Sequence, residues 1–306
     1  MTKTAVVFAG QGAQYLGMAR DLYDQHAIVR ETFQEAQEIL GYDLRDLINH
    51  DEEKLHQTRY TQPAILTTSI AIYRCLTENS FQPDMAAGLS LGEYAALVAA
   101  GSLSFAAALD LVAKRGAFME EAAPEGSGKM VAVLNADAAM IEEICQQASY
   151  KGIVTPANYN TPSQIVIGGE VAAVDEAVEL LSQAGVKRMI PLKVSGPFHT
   201  ALLEKASQRL AETLKEVDFA EFQIPVVGNT EADIMELSQV KRLLERQVME
   251  PVRFYESIER MKELGASSFV EIGPGKVLSG FIKKIDKSLS VCHVEDEKTL
   301  ADFLGK

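Results

Sequence analysis

The chain has 306 residues, of which 47% are hydrophobic and 24% charged, enough for a large core and more than one folding unit. Its formal net charge of -14 argues against nucleic acid as the main partner, and an acidic partner would need a local basic patch to dock. Three cysteines, Cys75, Cys145 and Cys292, form no CxxC pair and no Cys/His cluster, which points to a reducing compartment and away from a bound metal.

No apolar run approaches membrane-spanning length. The first residues, Met1-Thr2-Lys3-Thr4-Ala5-Val6-Val7-Phe8, enter a strand directly, and a Gly/Gln loop follows where a signal peptide would have its cleavage site. The expectation is a cytoplasmic protein with no membrane partner.

Strands alternate with helices almost throughout, which predicts an α/β fold with a mostly parallel sheet and helices on both faces. Residues 4–9 read as the first strand. The loop after it, Gly10-Gln11-Gly12-Ala13-Gln14, is not a dinucleotide fingerprint, because Tyr15 stands where the third glycine belongs, and it lacks the lysine of a phosphate-binding loop. A glycine-flanked loop at a strand's end can instead offer N–H groups to an oxyanion, and Gln11 is placed to add such a donor. A long helical region containing Arg20, Glu31, Phe33, Ala36 and Leu40 follows, then an apolar, buried helix over 64–76.

Residues 85–87 read as a short buried strand and 94–100 as the helix after it. Between them stands Gly88-Leu89-Ser90-Leu91-Gly92, a serine flanked by glycines where the chain must turn sharply. Such an elbow projects the hydroxyl and aims the free N–H groups of the next helix at the same point, with the Leu91 N–H as the first donor to an anionic intermediate on Ser90. The plain alternative is a tight strand-to-helix turn with a serine near its cap.

A further helix spans 104–122 and carries Arg115, with Met119 one turn on and on the same face. An arginine in so apolar a helix must find an anion or reach solvent. Its fork suits the free carboxylate of an acyl group, the alternative being a surface salt bridge to Glu120 or Glu121.

The character changes at the turn-rich stretch Pro124-Glu125-Gly126-Ser127-Gly128. After it come a strand over 130–134, a helix over 138–147, strands over 154–157 and 164–168 joined through Asn158-Tyr159-Asn160-Thr161-Pro162, a helix over 171–184 and a strand over 186–192. The order βαββαβ is the ferredoxin-like signature, and it predicts a small domain over 127–194 inserted into a larger one made of 1–126 and 195–306. The larger unit resumes with a helix from His199 to about 217, a strand over 224–227, and helices over 238–248 and 254–264. A strand over 268–271, the turn Gly273-Pro274-Gly275, a helix over 276–285 and a strand over 291–294 close it.

A serine nucleophile needs a base. His26, His50 and His56 lie in charge-rich sequence, and His293 sits in the last strand. His199 follows Ser195-Gly196-Pro197-Phe198 at the junction of the two domains, where clefts form. The alternative is a helix-start histidine with no chemical role.

Taken together these motifs resemble the malonyl-CoA:acyl-carrier-protein transacylases of fatty acid synthesis, from one end of the chain to the other. The resemblance is carried by Phe8-Ala9-Gly10-Gln11-Gly12-Ala13-Gln14, Thr61-Gln62-Pro63-Ala64, Gly88-Leu89-Ser90-Leu91-Gly92-Glu93-Tyr94 and Arg115-Gly116. Ala157-Asn158-Tyr159-Asn160, Ser195-Gly196-Pro197-Phe198-His199, Gln247 before Pro251-Val252, and Glu271-Ile272-Gly273-Pro274-Gly275 complete it. It implies a hydrolase-like α/β domain with an inserted ferredoxin-like domain. It also implies Ser90 as the nucleophile that holds the malonyl ester, and His199 as its base, oriented by a main-chain carbonyl in the motif of Gln247. Arg115 would grip the malonyl carboxylate, Gln11 and Leu91 would serve the oxyanion, and Met119 and Asn160 would line the cleft.

Phe198 beside the base is associated by the resemblance with malonyl over methylmalonyl groups. Leu89 departs from the histidine common at that position, which would alter the polarity of the pocket wall. The resemblance implies malonyl-CoA and acyl carrier protein as partners, no cofactor, and action as a monomer. Lys187-Arg188 with Lys193, or Lys276 with Lys283-Lys284, would dock the carrier. A discrete chain favours fatty acid over polyketide synthesis. The rivals are a serine thioesterase or hydrolase, which needs an acidic third member, and a non-catalytic scaffold that binds the carrier.

Overall fold

The computed structural model describes residues 3–124, 126–194 and 196–305. Glu125 of the turn-rich stretch, and Ser195, which opens the motif before His199, lie outside the described residues. The elements in chain order are β1 (Lys3–Phe8), α1 (Arg20–Gln25), α2 (Ala27–Leu40), α3 (Leu44–His50), α4 (Glu52–Leu55), α5 (Thr58–Glu78), β2 (Met85–Gly88), α6 (Gly92–Ala99) and α7 (Phe105–Ala122). Then come β3 (Lys129–Leu134), α8 (Ala138–Ala148), β4 (Val154–Thr161), β5 (Gln164–Gly169), α9 (Val171–Gln183), β6 (Arg188–Pro191), α10 (Glu204–Lys215) and β7 (Val226–Val227). The chain ends with α11 (Val240–Gln247), α12 (Phe254–Glu263), β8 (Ala266–Ile272), α13 (Val277–Ile285), β9 (Ser290–Val294) and α14 (Glu297–Leu304).

Two sheets organise these elements. The larger has the order β7-β2-β1-β8-β9 and every pairing in it is parallel. Along β1 the alternation of side chains sends Val6 and Phe8 to one face and Ala5 and Val7 to the other. The first face is covered by apolar residues of α2, α5, α6 and α7, the second by those of α12 and α13. This is the α/β layering that the alternation of elements predicts.

The second sheet, β4-β5-β3-β6, is antiparallel. Val131, Val133, Ile165 and Ile167 meet α8 and α9 on one face and form a core of their own. Met130, Ala132 and Val166, one residue out of phase, face the main core instead. The small sheet is thus apolar on both faces. Its β4 is tied to the large unit through Val252, whose N–H donates to Ala157 and whose carbonyl accepts from Tyr159 at 2.9 and 2.8 Å.

Several sequence expectations are corrected. The segment 158–162 is no connection: β4 runs through Asn158 to Thr161, and the hairpin turns at Pro162-Ser163. Cross-strand pairing with β5 and the Val252 contact overrule the turn propensity of Asn and Pro there. The long helical region divides at His26, whose backbone is extended. The buried helix starts at Thr58, earlier than its apolar run, with Pro63 inside it. The strand expected over 224–227 keeps only Val226 and Val227, and that over 186–192 is limited to Arg188–Pro191. The helix expected from His199 begins at Glu204, after a short 3-10 turn. Helices α3, α4 and α14 gave no recognised signal.

At the elbow backbone packs directly against backbone. A Cβ at Gly88 would overlap the carbonyl carbon of Gly92, and one at Gly92 would overlap the Phe8 carbonyl oxygen of β1. Both atoms belong to backbone, so neither can move aside cheaply. Gly88→Ala and Gly92→Ala are each expected to cost more than about 4 kcal/mol or to abolish soluble protein. Gly280→Ala, at a helical glycine with open space around it, is expected to be neutral or stabilising by up to about 1 kcal/mol. Denaturant midpoints of the three variants check this.

Candidate active site

Ser90 sits at the carboxyl end of β2 with φ of 54°, in the left-handed region, and Leu91 caps α6 immediately after it. That strained conformation lifts the side chain out of the turn. Gln247 ends α11, and Arg115 lies in the middle of α7. His199, with φ of 60°, precedes the 3-10 turn at Ala201–Leu203. Three distant segments therefore converge on the Ser90 turn.

His199 Nε2 lies 2.8 Å from Ser90 Oγ, and its Nδ1 lies 2.7 Å from the main-chain oxygen of Gln247. A carbonyl only accepts, so Nδ1 carries the proton and Nε2 is left to accept from the serine hydroxyl. Burial first, and the nearby Arg115 charge second, push the His199 pKa down to about 4. The imidazole is neutral at pH 7 and holds the lone pair a base requires. A carbonyl orients it, and among the described residues no carboxylate takes the place of a hydrolase triad's acidic member.

Arg115 is 1% exposed. It donates to Gln62 Oε1 at 2.7 Å, Gln247 Oε1 at 2.9 Å and Ser90 Oγ at 3.0 Å, and its guanidinium faces the Tyr94 ring at 5.4 Å. The surface salt-bridge alternative does not hold: Glu120 pairs with Arg59, and Glu121 with Arg209. Among the described residues Arg115 has no carboxylate partner and its Nε has none of any kind. Burial lowers its pKa from the usual arginine value.

The amide of Gln247 donates to the Ser90 carbonyl at 2.9 Å while its Oε1 receives Arg115. One residue therefore meets His199 with its backbone, and Arg115 and Ser90 with its side chain. The Gln11 side chain donates to Thr58 Oγ1 at 3.1 Å and accepts from Gln62 at 3.4 Å, which makes the Gln11 main-chain N–H the candidate oxyanion donor. Its loop does abut the elbow, because a Cβ at Gly10 would stand 2.5 Å from the Leu89 oxygen.

Ser90 opens into a cleft of about 290 Å³ between the two sheets. Leu91, Met119, Phe198 and Asn160 all line it, and Asn160 Oδ1 is buried there without a partner among the described residues. Leu89 and Phe281 make an apolar wall near Val277, which is 50% exposed. Lys193 also lines the cleft, and Lys276 stands just before Val277. His26, His50, His56 and His293 lie elsewhere, each with an acidic neighbour.

Sequence reasoning assigned no role to Gln62, Glu93 or Asn229. Gln62 and Glu93 stand inside quoted motifs, which was a usable signal. Asn229 follows a two-residue strand, and only the pairing of β7 with β2 brings it to the elbow.

Burial of neutral His199 has a pH signature. An unfolded histidine binds its proton near 6.5, the folded one near 4, so its contribution is whole above 6.5 and is lost as the pH falls toward 4. The loss amounts to about 3 kcal/mol. His199→Gln is expected to remove this part of the acid dependence, read as the difference between the two proteins' unfolding free energies across that window.

Comparison with known proteins agrees with this geometry. A family model described as an acyl transferase domain matches residues 5–301. The malonyl CoA-acyl carrier protein transacylase of Bacillus subtilis is 46% identical over 98% of this chain and 96% of its own. The Escherichia coli transacylase of the same name is 42% identical over 99% of both chains. The crystal structure of MCAT from Streptococcus pneumoniae superposes with a TM-score of 0.97 at 67% identity, covering 99% of each chain. A malonyl-transacylase solved in complex with a type II polyketide acyl-carrier protein gives 0.96 at 42% identity, over 99% of each chain. This chain belongs to the acyl transferase domain family and, within it, to the malonyl CoA-acyl carrier protein transacylases.

Proposed function

We propose that the protein transfers the malonyl group from malonyl-CoA to the phosphopantetheine thiol of acyl carrier protein through an ester on Ser90, supplying fatty acid synthesis in the cytoplasm. The observation that carries this reading is a buried arginine, without a carboxylate partner, in hydrogen-bond contact with an activated serine hydroxyl. A buried cation with no carboxylate in direct contact costs several kcal/mol. An acyl group that brings its own carboxylate offsets that cost, which acetyl and longer saturated groups cannot do.

In the first half-reaction Ser90 gives its proton to His199 Nε2 as its oxygen bonds to the thioester carbon. The N–H groups of Leu91 and Gln11 would hold the resulting oxyanion. The carbon–sulfur bond then breaks, and His199 returns the proton to the departing coenzyme A thiolate. In the second half the carrier's thiol gives its proton to His199 and its sulfur attacks the ester. Oxygen leaves as Ser90 and recovers the proton. Protons balance on one imidazole, and the cycle calls for no metal or cofactor.

Phe198 beside the base crowds an α-methyl branch, worth about 1–3 kcal/mol against methylmalonyl. Lys193 at the cleft and Lys276 beside it supply local positive charge for an acidic carrier on a protein of net charge -14.

Radiolabelled malonyl-CoA is expected to label the protein, to be chased onto added carrier, and to leave Ser90→Ala unlabelled. Arg115→Ala is expected to load malonyl about 100-fold more slowly, since a charge-assisted bidentate contact is lost. Free malonate in place of malonyl-carrier would make the protein a hydrolase. Lys276→Glu is expected to slow transfer to the carrier and leave loading intact, as half-reaction rates would show; equal loss in both halves removes the docking role.

A further inference from the structure

Beneath the elbow lies a second layer of buried polar groups that the reaction scheme does not use. Glu93, in the first turn of α6, is wholly buried and has no ion-pair partner within bonding distance among the described residues. Its Oε2 accepts the N–H of Asn229 at 2.8 Å. The Asn229 side chain then grips the elbow on both sides of the turn. Its Oδ1 accepts the Ser90 N–H at 2.7 Å and its Nδ2 donates to the Gly88 carbonyl at 2.6 Å. The same Oδ1 takes the Gln247 amide at 3.3 Å.

We propose that Asn229 and Glu93 are positioning residues for the transfer reaction: Asn229 holds Ser90 in its left-handed turn, and Glu93 anchors Asn229 while serving as the remote counter-charge of Arg115. The proposal rests on the reading of Ser90 as nucleophile. A non-glycine residue in the left-handed region costs of order 1 kcal/mol or more and persists where its surroundings over-determine it. The Ser90 N–H and the Gly88 carbonyl lie between β2 and α6, and the Asn229 side chain bonds both. Only a planar amide supplies one acceptor and one donor at that spacing. An aspartate at 229 keeps the acceptor and loses the donor; an alanine loses both.

The charge half of the proposal comes from what surrounds Glu93. Arg115 faces it from α7, Asn229 and Gln247 face it as neutral amides from the segment after β7 and from α11, and Tyr94 adjoins it on α6. His199, across Ser90, is uncharged at neutral pH. Among the described residues Arg115 is therefore the cation that acts on this carboxylate, and Glu93 acts at a distance on a guanidinium that no carboxylate contacts directly. Burial raises the Glu93 pKa to about 7, with the Asn229 N–H, the Gln247 amide and Arg115 pulling the other way. As the pH falls through that value Glu93 takes up a proton, its hold on the Asn229 N–H weakens, and Arg115 loses its counter-charge. An acid limb of activity near 7 then belongs to Glu93, because His199 protonates only near 4.

The test measures malonyl loading of the full chain by rapid quench, labelling of Ser90 by a fluorophosphonate, and thermal melting, for wild type, Glu93→Gln, Asn229→Ala and Asn229→Asp. Asn229→Ala is expected to lose about 100-fold in the loading kcat, with KM within about threefold, because the nucleophile is displaced while the clamp remains. Asn229→Asp should fall between. Glu93→Gln keeps the shape and an acceptor for the Asn229 N–H. It should lose about tenfold at pH 8 and show no acid limb between about pH 8 and 5.

Wild-type labelling and loading rates in a folded Asn229→Ala, or an acid limb near 7 that survives in Glu93→Gln, would overturn the proposal. Should Asn229→Ala fail to fold, the isosteric Glu93→Gln and Asn229→Asp decide it alone. Absence of fluorophosphonate and malonyl label on wild type would instead sink the assignment of Ser90 as nucleophile, a distinct failure.

Discussion

The active site depends on a backbone turn that the glycines on either side of it permit. Ser90 can occupy a left-handed conformation only because Gly88 and Gly92 let the turn, α6 and the Phe8 carbonyl of β1 meet without intervening Cβ atoms. That contact fixes the start of α6 against the central strand of the parallel sheet. It also fixes the direction in which the hydroxyl leaves the turn. The strain is offset by hydrogen bonds from Asn229 and Gln247, which belong to segments more than a hundred residues further on. The nucleophile is therefore a property of the assembled sheet, and an isolated strand–turn–helix peptide would not hold it.

Electrostatics follows from the same geometry. Three buried ionisable groups, His199, Arg115 and Glu93, surround one oxygen and its turn, and burial shifts each toward its uncharged form. Arginine keeps its charge regardless, because its reference value lies so high. Its cation then disfavours protonation of His199 and favours ionisation of Glu93. The result is a neutral imidazole, a permanent cation and a tunable anion, all buried. Such a site asks for an acyl group with a carboxylate of its own. It also explains why a carbonyl suffices to orient the histidine: a carboxylate at Nδ1 would be a further buried charge to neutralise.

The cleft itself is formed by the small sheet lying against the large unit. Met130 and Val166 reach across from the small sheet, Gln11 and Leu89 from the edge of the large one, and Phe198 and His199 from the segment that returns between them. The tie of β4 to Val252 holds this arrangement through paired main-chain bonds rather than side chains alone. Residues on several segments therefore line the space that an acyl group would enter.

What was legible in the sequence was local chemistry and local periodicity. Glycines around Ser90 announced a turn that only small residues permit, apolar runs announced buried strands and helices, and the βαββαβ order announced the second sheet. The choice of His199 among five histidines rested on its place at a junction between units, and the structure brings it to Ser90. Turn propensity misled at residues 158–162, because pairing with β5 and contact with Val252 outweigh what Asn and Pro prefer alone. Asn229 and the side-chain contacts of Gln62 and Glu93 were not legible, since nothing near them in the chain tells which segment they will meet. Which way Gln11 turns was likewise decided by Thr58 and Gln62, both on α5. The sequence by itself determined the elbow, most of the elements and the kinds of group available for acyl chemistry, because these follow from sterics and side-chain type within a few residues. Only the tertiary structure decided which carbonyl orients the base, which arginine donors remain engaged and what braces the nucleophile, because sheet order and register bring together residues far apart in the chain.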